Sequence, residues 1–225
     1  MLFDILRMGS MDSAERIQLL MNICARVFVI FCVLPIHEYA HALTAHKLGD
    51  DTARLKGRMT IAPMAHIDPI GALMIFLLGF GYAKPVPVNM RNFKNPKAGM
   101  AIVALAGPLS NLVMAILFLI LRWVFSVYGT SDFTLILAYF FYYAAYINVS
   151  LAVFNLLPIP PLDGSRIATA LIPNETYYKI MQYERYIMIG LFVLLLTGIL
   201  TRPLGLLTDV VIDGLEKLTS LPFVR

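Results

Sequence analysis

Charge is scarce in this chain. Asp, Glu, Lys and Arg make up 14% of its 225 residues, against about 25% in an ordinary globular domain. Hydrophobic residues make up 59%, and mean hydropathy is +0.76. That balance excludes a water-soluble globular domain and leaves an integral membrane protein. Cysteine is nearly absent: the chain has Cys24 and Cys32 only. They lie in one hydrophobic run at a spacing that suits neither a disulfide within a helix nor a Cys-x-x-Cys metal site, so they read as small buried hydrophobes. There is no internal repeat, no low-complexity tract and no polar stretch long enough for a separate soluble domain. The net charge of +4 resides in basic loops without interleaved exposed aromatics, which excludes a nucleic-acid surface. A cleavable leader is not expected either, because no small-residue cleavage site precedes the first apolar run.

Within that apolar background one stretch concentrates chemistry: Cys32-Val33-Leu34-Pro35-Ile36-His37-Glu38-Tyr39-Ala40-His41-Ala42-Leu43. From Ile23 to Leu34 the only charge is Arg26, and then three ionisable groups arrive together. Such groups are costly in a spanning helix and mark function there. On a helix, His37 and His41 project about 40° apart on one face. Two imidazoles so placed can bind one tetrahedral zinc, with Glu38 reaching a coordinated water as general base. Chance produces an H-E-x-x-H pattern in many soluble proteins. A purely structural reading here, however, needs polar partners for all three groups, and metal ligation supplies them.

Taken in order, residues 1–19 alternate charged and apolar positions and read as an interfacial segment. A first spanning helix is expected from about Leu20 to Lys47, with Pro35 able to kink it. Pro63–Ala83 reads as a broken hydrophobic hairpin whose apolar core, Ala72–Phe80, is too short to span. Basic loops flank it, Leu48–Arg58 and Lys84–Lys97, so under the positive-inside rule it enters and leaves on one face, as a re-entrant element. Lys84-Pro85-Val86-Pro87-Val88-Asn89 is either an exposed linker or an extended, β-like edge for an unwound substrate. A second spanning helix is expected over Ala98–Phe125, where Asn111 either orients a substrate backbone or joins two helices. A third is expected over Thr134–Leu157, its Tyr139–Tyr143 and Tyr146 band serving packing and interface anchoring. Pro158, Pro160 and Pro161 break that helix and deliver Asp163. This aspartate either caps a short helix, Ser165–Leu171, or, with the His motif present, supplies the third zinc ligand and leaves the fourth position to water. A last apolar run, Tyr186–Leu200, precedes an amphipathic tail over Arg202–Arg225 that reads as solvated or interfacial. His46 and His66 read as interfacial or structural. The expected fold is an all-α polytopic membrane bundle of about four to six membrane segments, with one re-entrant segment and a short extended β-like loop. It forms one domain over residues 1–225, with the catalytic core at 20–170 and a C-terminal helix and tail at 171–225.

Three motifs in this order, His37-Glu38-Tyr39-Ala40-His41, Gly107-Pro108-Leu109-Ser110-Asn111 and Asn155 through Asp163-Gly164, resemble those of the site-2 protease family of intramembrane zinc metalloproteases. Phe80–Asn89 is similar to the compact prokaryotic branch of that family, and the resemblance covers residues 27–170. It implies one zinc per chain on His37, His41 and Asp163, with Glu38 as the catalytic base. Asn111 and Asn155 would hold substrate backbone or polarise the scissile carbonyl. It also implies that the substrates are unwound transmembrane segments, cut in regulated intramembrane proteolysis by a site toward the cytoplasmic side of a prokaryotic cell membrane. The family's PDZ insert and nucleotide-sensing pair have no room here, and three prolines stand where relatives carry one or two. Two other classes compete. A metal transporter would spread ionisable groups along several helices, often with repeat symmetry. An inactive scaffold of the same family would be expected to lack Glu38 or a ligand, and this chain keeps all four. The motifs carry no information on oligomeric state.

Overall fold

In a computed structural model, which describes residues 8–168 and 170–223, the first long helix begins at Ser13. Asp12 accepts from the Glu15 N–H, and the Glu15 carboxylate accepts from the Asp12 N–H, a reciprocal cap. Helix α1 (Ser13–Phe28) runs through a π turn, Val29–Val33, into α2 (Leu34–Lys47), and the whole is an apolar span of 35 residues. The π turn absorbs Pro35: the Leu34 N–H reaches back to Val29 C=O. Pro35 thereby falls in the first turn of α2, where a missing N–H costs little. Residues 13–19 are the opening turns of this continuous helix; residues 1–7 lie outside the described residues. Cys24 and Cys32 are exposed, against the expectation of burial. Ala25, Val29 and Val33 take the inward face of this helix and turn both thiols outward.

After α2 come a one-turn helix, α3 (Thr52–Leu55), and the short apolar helix α4 (Pro69–Leu78). Asp68 caps α4, accepting from the Ile70 and Gly71 N–H groups, and Gly79 ends it at φ 84°. At its 10 residues α4 is about 15 Å long, half a bilayer core. The two ends of this excursion meet, since the Lys84 N–H donates to His66 C=O at 2.8 Å. The returning chain lies directly on α4: a Cβ on Gly71 would stand 1.9 Å from Tyr82 O, and one on Gly81 2.3 Å from Gly71 O. This fold-back occupies the stretch expected to be re-entrant, while the bent pair consistent with a re-entrant loop lies at Glu184–Leu196 and Thr201–Ser220. Arg26 holds its inner end by donating to the carbonyls of Ile75 (2.8 Å) and Phe76 (3.1 Å) and to Asn22 Oδ1 (2.7 Å). Arg26 thus places a cationic donor on the C-terminal carbonyls of α4. Residues 84–89 form no strand; they cross the molecule as an irregular strap.

Helices α5 (Pro96–Tyr128) and α6 (Asp132–Asn155) form the central hairpin. On α5, Ile102, Leu105, Leu109, Val113, Leu117 and Ile120 recur every three or four residues, and all are exposed. In water such a stripe would seek cover; in a bilayer it is the lipid face. The opposite face carries Ala104, Gly107, Asn111 and Ala115 against α2 and α6, while α6 buries Ala138, Ala144, Ala145 and Ala152. Small side chains let backbones approach closely where lipid tails compete for every apolar contact. The aromatic band packs as expected, with Phe28 set edge-on against Phe118 (5.8 Å) and Phe140 (5.4 Å).

Beyond α6, residues 156–162 form turns. Then follow α7 (Asp163–Ala168), beginning two residues before the expected Ser165, α8 (Asn174–Met181), α9 (Glu184–Leu196) and α10 (Thr201–Ser220). Among the described residues three helices are long and apolar enough to cross a membrane. The pair α9–α10, bent by 79°, makes a fourth if taken as one span. Leu191 and Leu195 of α9 pack with Phe80, Phe154 and Leu162, at the end of the α4 hairpin. The tail is an amphipathic helix, and α10 lays one face on the bundle. Its Leu204, Thr208 and Ile212 are buried. Tyr146 donates to Asp209 (2.9 Å), and Arg122 pairs with Glu216. The charges that made this segment read as solvated are used against α5 and α6.

Candidate metal centre and active site

The H-E-x-x-H motif lies on α2, and its regular helical spacing sets the two imidazoles side by side, ring centroids 4.7 Å apart. His37 Nε2 and His41 Nε2 are 3.1 Å from each other, and Asp163 Oδ2 is 3.3 Å from the first and 3.2 Å from the second. A tetrahedron built on metal–ligand bonds of about 2.0–2.1 Å has edges of about 3.3 Å, so the three atoms already stand as three corners of one. Two nitrogens and a carboxylate oxygen are a zinc donor set. His41 Nδ1–H donates to Val103 C=O at 2.7 Å, which fixes the tautomer and leaves Nε2 as the ligating atom. His37 Nδ1 is buried without a partner. Burial alone would raise the Asp163 carboxyl, but the imidazoles of His41 and His37 outweigh it and hold the group below the usual carboxylate range.

Two glycines make this convergence possible. A Cβ on Gly107 would stand 2.3 Å from His41 Nε2 and 2.6 Å from His37 Cε1, so α5 passes the imidazoles at a distance that only glycine permits. A Cβ on Gly164 would stand 2.2 Å from Leu156 O and 2.4 Å from Leu157 O. The backbone after Asp163 thus folds flat against the end of α6, and the aspartate is delivered inward. The pressure of Gly107 on the imidazoles depends on how α5 crosses α2.

Glu38 is buried beside the cluster, and its Oε2 accepts from the Val86 N–H at 3.1 Å. A cavity of about 90 Å³ opens onto His37, Glu38, His41 and Asp163, walled by the strap and by Asn155. Asn155 donates one amide N–H to Leu151 C=O at 3.0 Å. Asn111 is 1% exposed, with neither amide atom partnered, and is not among the residues lining that cavity. His46 pairs with Asp51 at 2.6 Å, and His66 donates from Nε2 to Thr60 C=O at 2.7 Å; neither joins the cluster. Two contributors escaped the sequence reading: Val103 C=O and the Val86 N–H. The first carries no residue-type signal at all. For the second a signal existed, since prolines on both sides of Val86 leave its N–H as the sole donor there.

A family model described as peptidase family M50 matches residues 124–197. A protein of Bacillus subtilis strain 168 with the name "Putative zinc metalloprotease YwhC" is 40% identical over 200 residues, covering 88% of this chain and 91% of that protein. "Putative zinc metalloprotease Rip2" of Mycolicibacterium smegmatis is 30% identical over 174 residues, 75% of this chain and 65% of that protein. No solved structure matches the chain.

Proposed function

Because the chain belongs to peptidase family M50, the site-2 proteases, we propose that this zinc metalloprotease cuts peptide bonds within or near transmembrane segments of membrane proteins, with one zinc per chain on His37, His41 and Asp163. The observation that carries this reading is the tetrahedral spacing of those three ligands against a helix long and apolar enough to cross a membrane. Zinc bound there supplies a Lewis acid and brings the pKa of water toward neutrality. Glu38, next to the first ligand, takes a proton from the attacking water and returns it to the leaving amine. Asn155, on the cavity wall, keeps Oδ1 and a second N–H for substrate backbone, whereas Asn111 is buried off that wall. Water reaches a peptide bond only where the backbone is unwound, so helix-breaking transmembrane segments are the substrate class, as regulated intramembrane proteolysis requires. The basic loops 48–58 and 84–97 adjoin this side of the molecule. That supports a site toward the cytoplasmic face of a prokaryotic cell membrane.

The test combines metal analysis with cleavage of a fluorogenic single-span reporter in proteoliposomes. The parent should hold close to one zinc, and His37→Ala and Asp163→Ala should each lose it. Glu38→Gln should keep zinc while cleavage falls by roughly 10²- to 10⁴-fold. Unimpaired cleavage by Glu38→Gln, or zinc retained in Asp163→Ala, refutes the assignment.

A further inference from the structure

Proline thins the hydrogen-bond donors of the strap that crosses the site. In Lys84-Pro85-Val86-Pro87-Val88-Asn89 the Val86 N–H is flanked by two residues that have none, and it is spent on Glu38 Oε2 at 3.1 Å. Contacts away from the cavity fix the strap at both ends. Upstream, the Lys84 N–H donates to His66 C=O at 2.8 Å, and Arg58 Nη2 donates to Lys84 C=O at 2.8 Å. Downstream, the Asn89 N–H donates to Asp50 Oδ2 at 2.7 Å. Asp50 is fully buried, and its other oxygen accepts from the Thr52 N–H (3.1 Å), the Thr52 hydroxyl (2.5 Å) and Asn92 Nδ2 (2.7 Å). A carboxylate taken so far out of water persists only when its donors are fixed around it. Here two of those donors, Asn89 and Asn92, lie in the strap and just beyond its downstream end.

We infer that the strap is a positioning device for the catalytic base: the Val86 N–H pins one oxygen of Glu38 and leaves the other free to take a proton, while Asp50 and Arg58 hold the strap in register. An unrestrained glutamate turns about three side-chain torsions, and pinning one oxygen removes most of that freedom before substrate arrives. The inference rests on Glu38 being the base, as proposed above.

Two variants separate the N–H from the side chain. Val86→Ala and Val86→Pro both lose the packing of Val86 on Ala42 and Ala53, but only Val86→Pro loses the donor. With the same reporter, kcat of Val86→Pro should fall about 10- to 100-fold below that of Val86→Ala. KM should stay within about twofold, and zinc content should not change. Asp50→Asn and Arg58→Gln should lower kcat in the same direction. Independently of activity, the Val86 amide should be protected from hydrogen exchange in the parent and exchange faster in Glu38→Ala. Equal kcat for Val86→Pro and Val86→Ala overturns the inference. So does a rise in kcat, which would make the strap a plug, or loss of zinc, which would tie it to the metal. If Val86→Pro does not fold, unchanged Val86 protection in Glu38→Ala overturns it instead. A parent that cleaves nothing overturns the proposed function itself, whereas an active parent with equal variants overturns this inference alone.

Discussion

Replacing Gly107 with alanine adds one methyl group at the closest approach in the site. Its Cβ would stand 2.3 Å from His41 Nε2, 2.5 Å from His41 Cε1 and 2.6 Å from His37 Cε1, where ordinary contact begins at 3.4 Å. The imidazoles or α5 must therefore give way by about 1 Å, several times the roughly 0.2 Å tolerance of a zinc–ligand bond. Moving α5 instead would strain the His41–Val103 hydrogen bond and the small-residue packing on α6, at about 1–3 kcal/mol for overpacking. Either route weakens zinc binding by at least the 10- to 100-fold typical of a lost supporting contact. Competition against a chelator of known affinity, on detergent-purified protein, reads this directly. Gly214 of α10 has nothing within 4 Å of a built Cβ. Alanine there should leave zinc affinity alone and add up to about 1 kcal/mol of stability. Zinc affinity in Gly107→Ala equal to the parent's would refute the close passage of α5 over the ligands.

Two further outcomes follow from the polar contacts. Burial pushes the Asp50 carboxyl up, but hydrogen bonds from Thr52, Asn89 and Asn92 outweigh it and hold the group below its ordinary 3.8. A carboxyl depressed in the folded state stabilises fully above its unfolded value and loses that stability as pH falls through the folded one. The melting-temperature gap between the parent and Asp50→Asn should therefore be constant above about pH 5 and shrink only below about pH 4; a gap that instead widens on acidification contradicts the network. Arg26→Leu should destabilise the protein by about 1–3 kcal/mol, because Ile75 and Phe76 lose a charged donor at membrane depth. Limited proteolysis should then cut first within the α4 hairpin, and cutting elsewhere would count against Arg26 as its anchor.

Helices and membrane character were legible because composition and the 3.6-residue period act locally. The His37–Glu38–His41 triplet was legible for the same reason, since four residues of α-helix place two imidazoles together whatever else the chain does. The Cys24 and Cys32 reading failed on an ambiguity peculiar to membranes: apolar side chains face either the core or the lipid, and hydropathy scores both alike. The docking of the tail was not legible, because Asp209 and Glu216 look solvent-directed until Tyr146 and Arg122 are brought beside them.

By itself, then, the amino-acid sequence determined an all-helical membrane protein, a candidate His-Glu-His metal motif on its first span and a candidate third ligand at Asp163. Only the tertiary structure decided that Asp163 Oδ2 completes the triangle, that Val103 C=O orients His41, that Gly107 leaves room for the imidazoles and that the Val86 N–H grips Glu38. The physical reason is common to these. Backbone carbonyls and amides are nearly identical at every residue, so their use is set by the distance of approach between segments far apart in the chain, and no residue type records that distance.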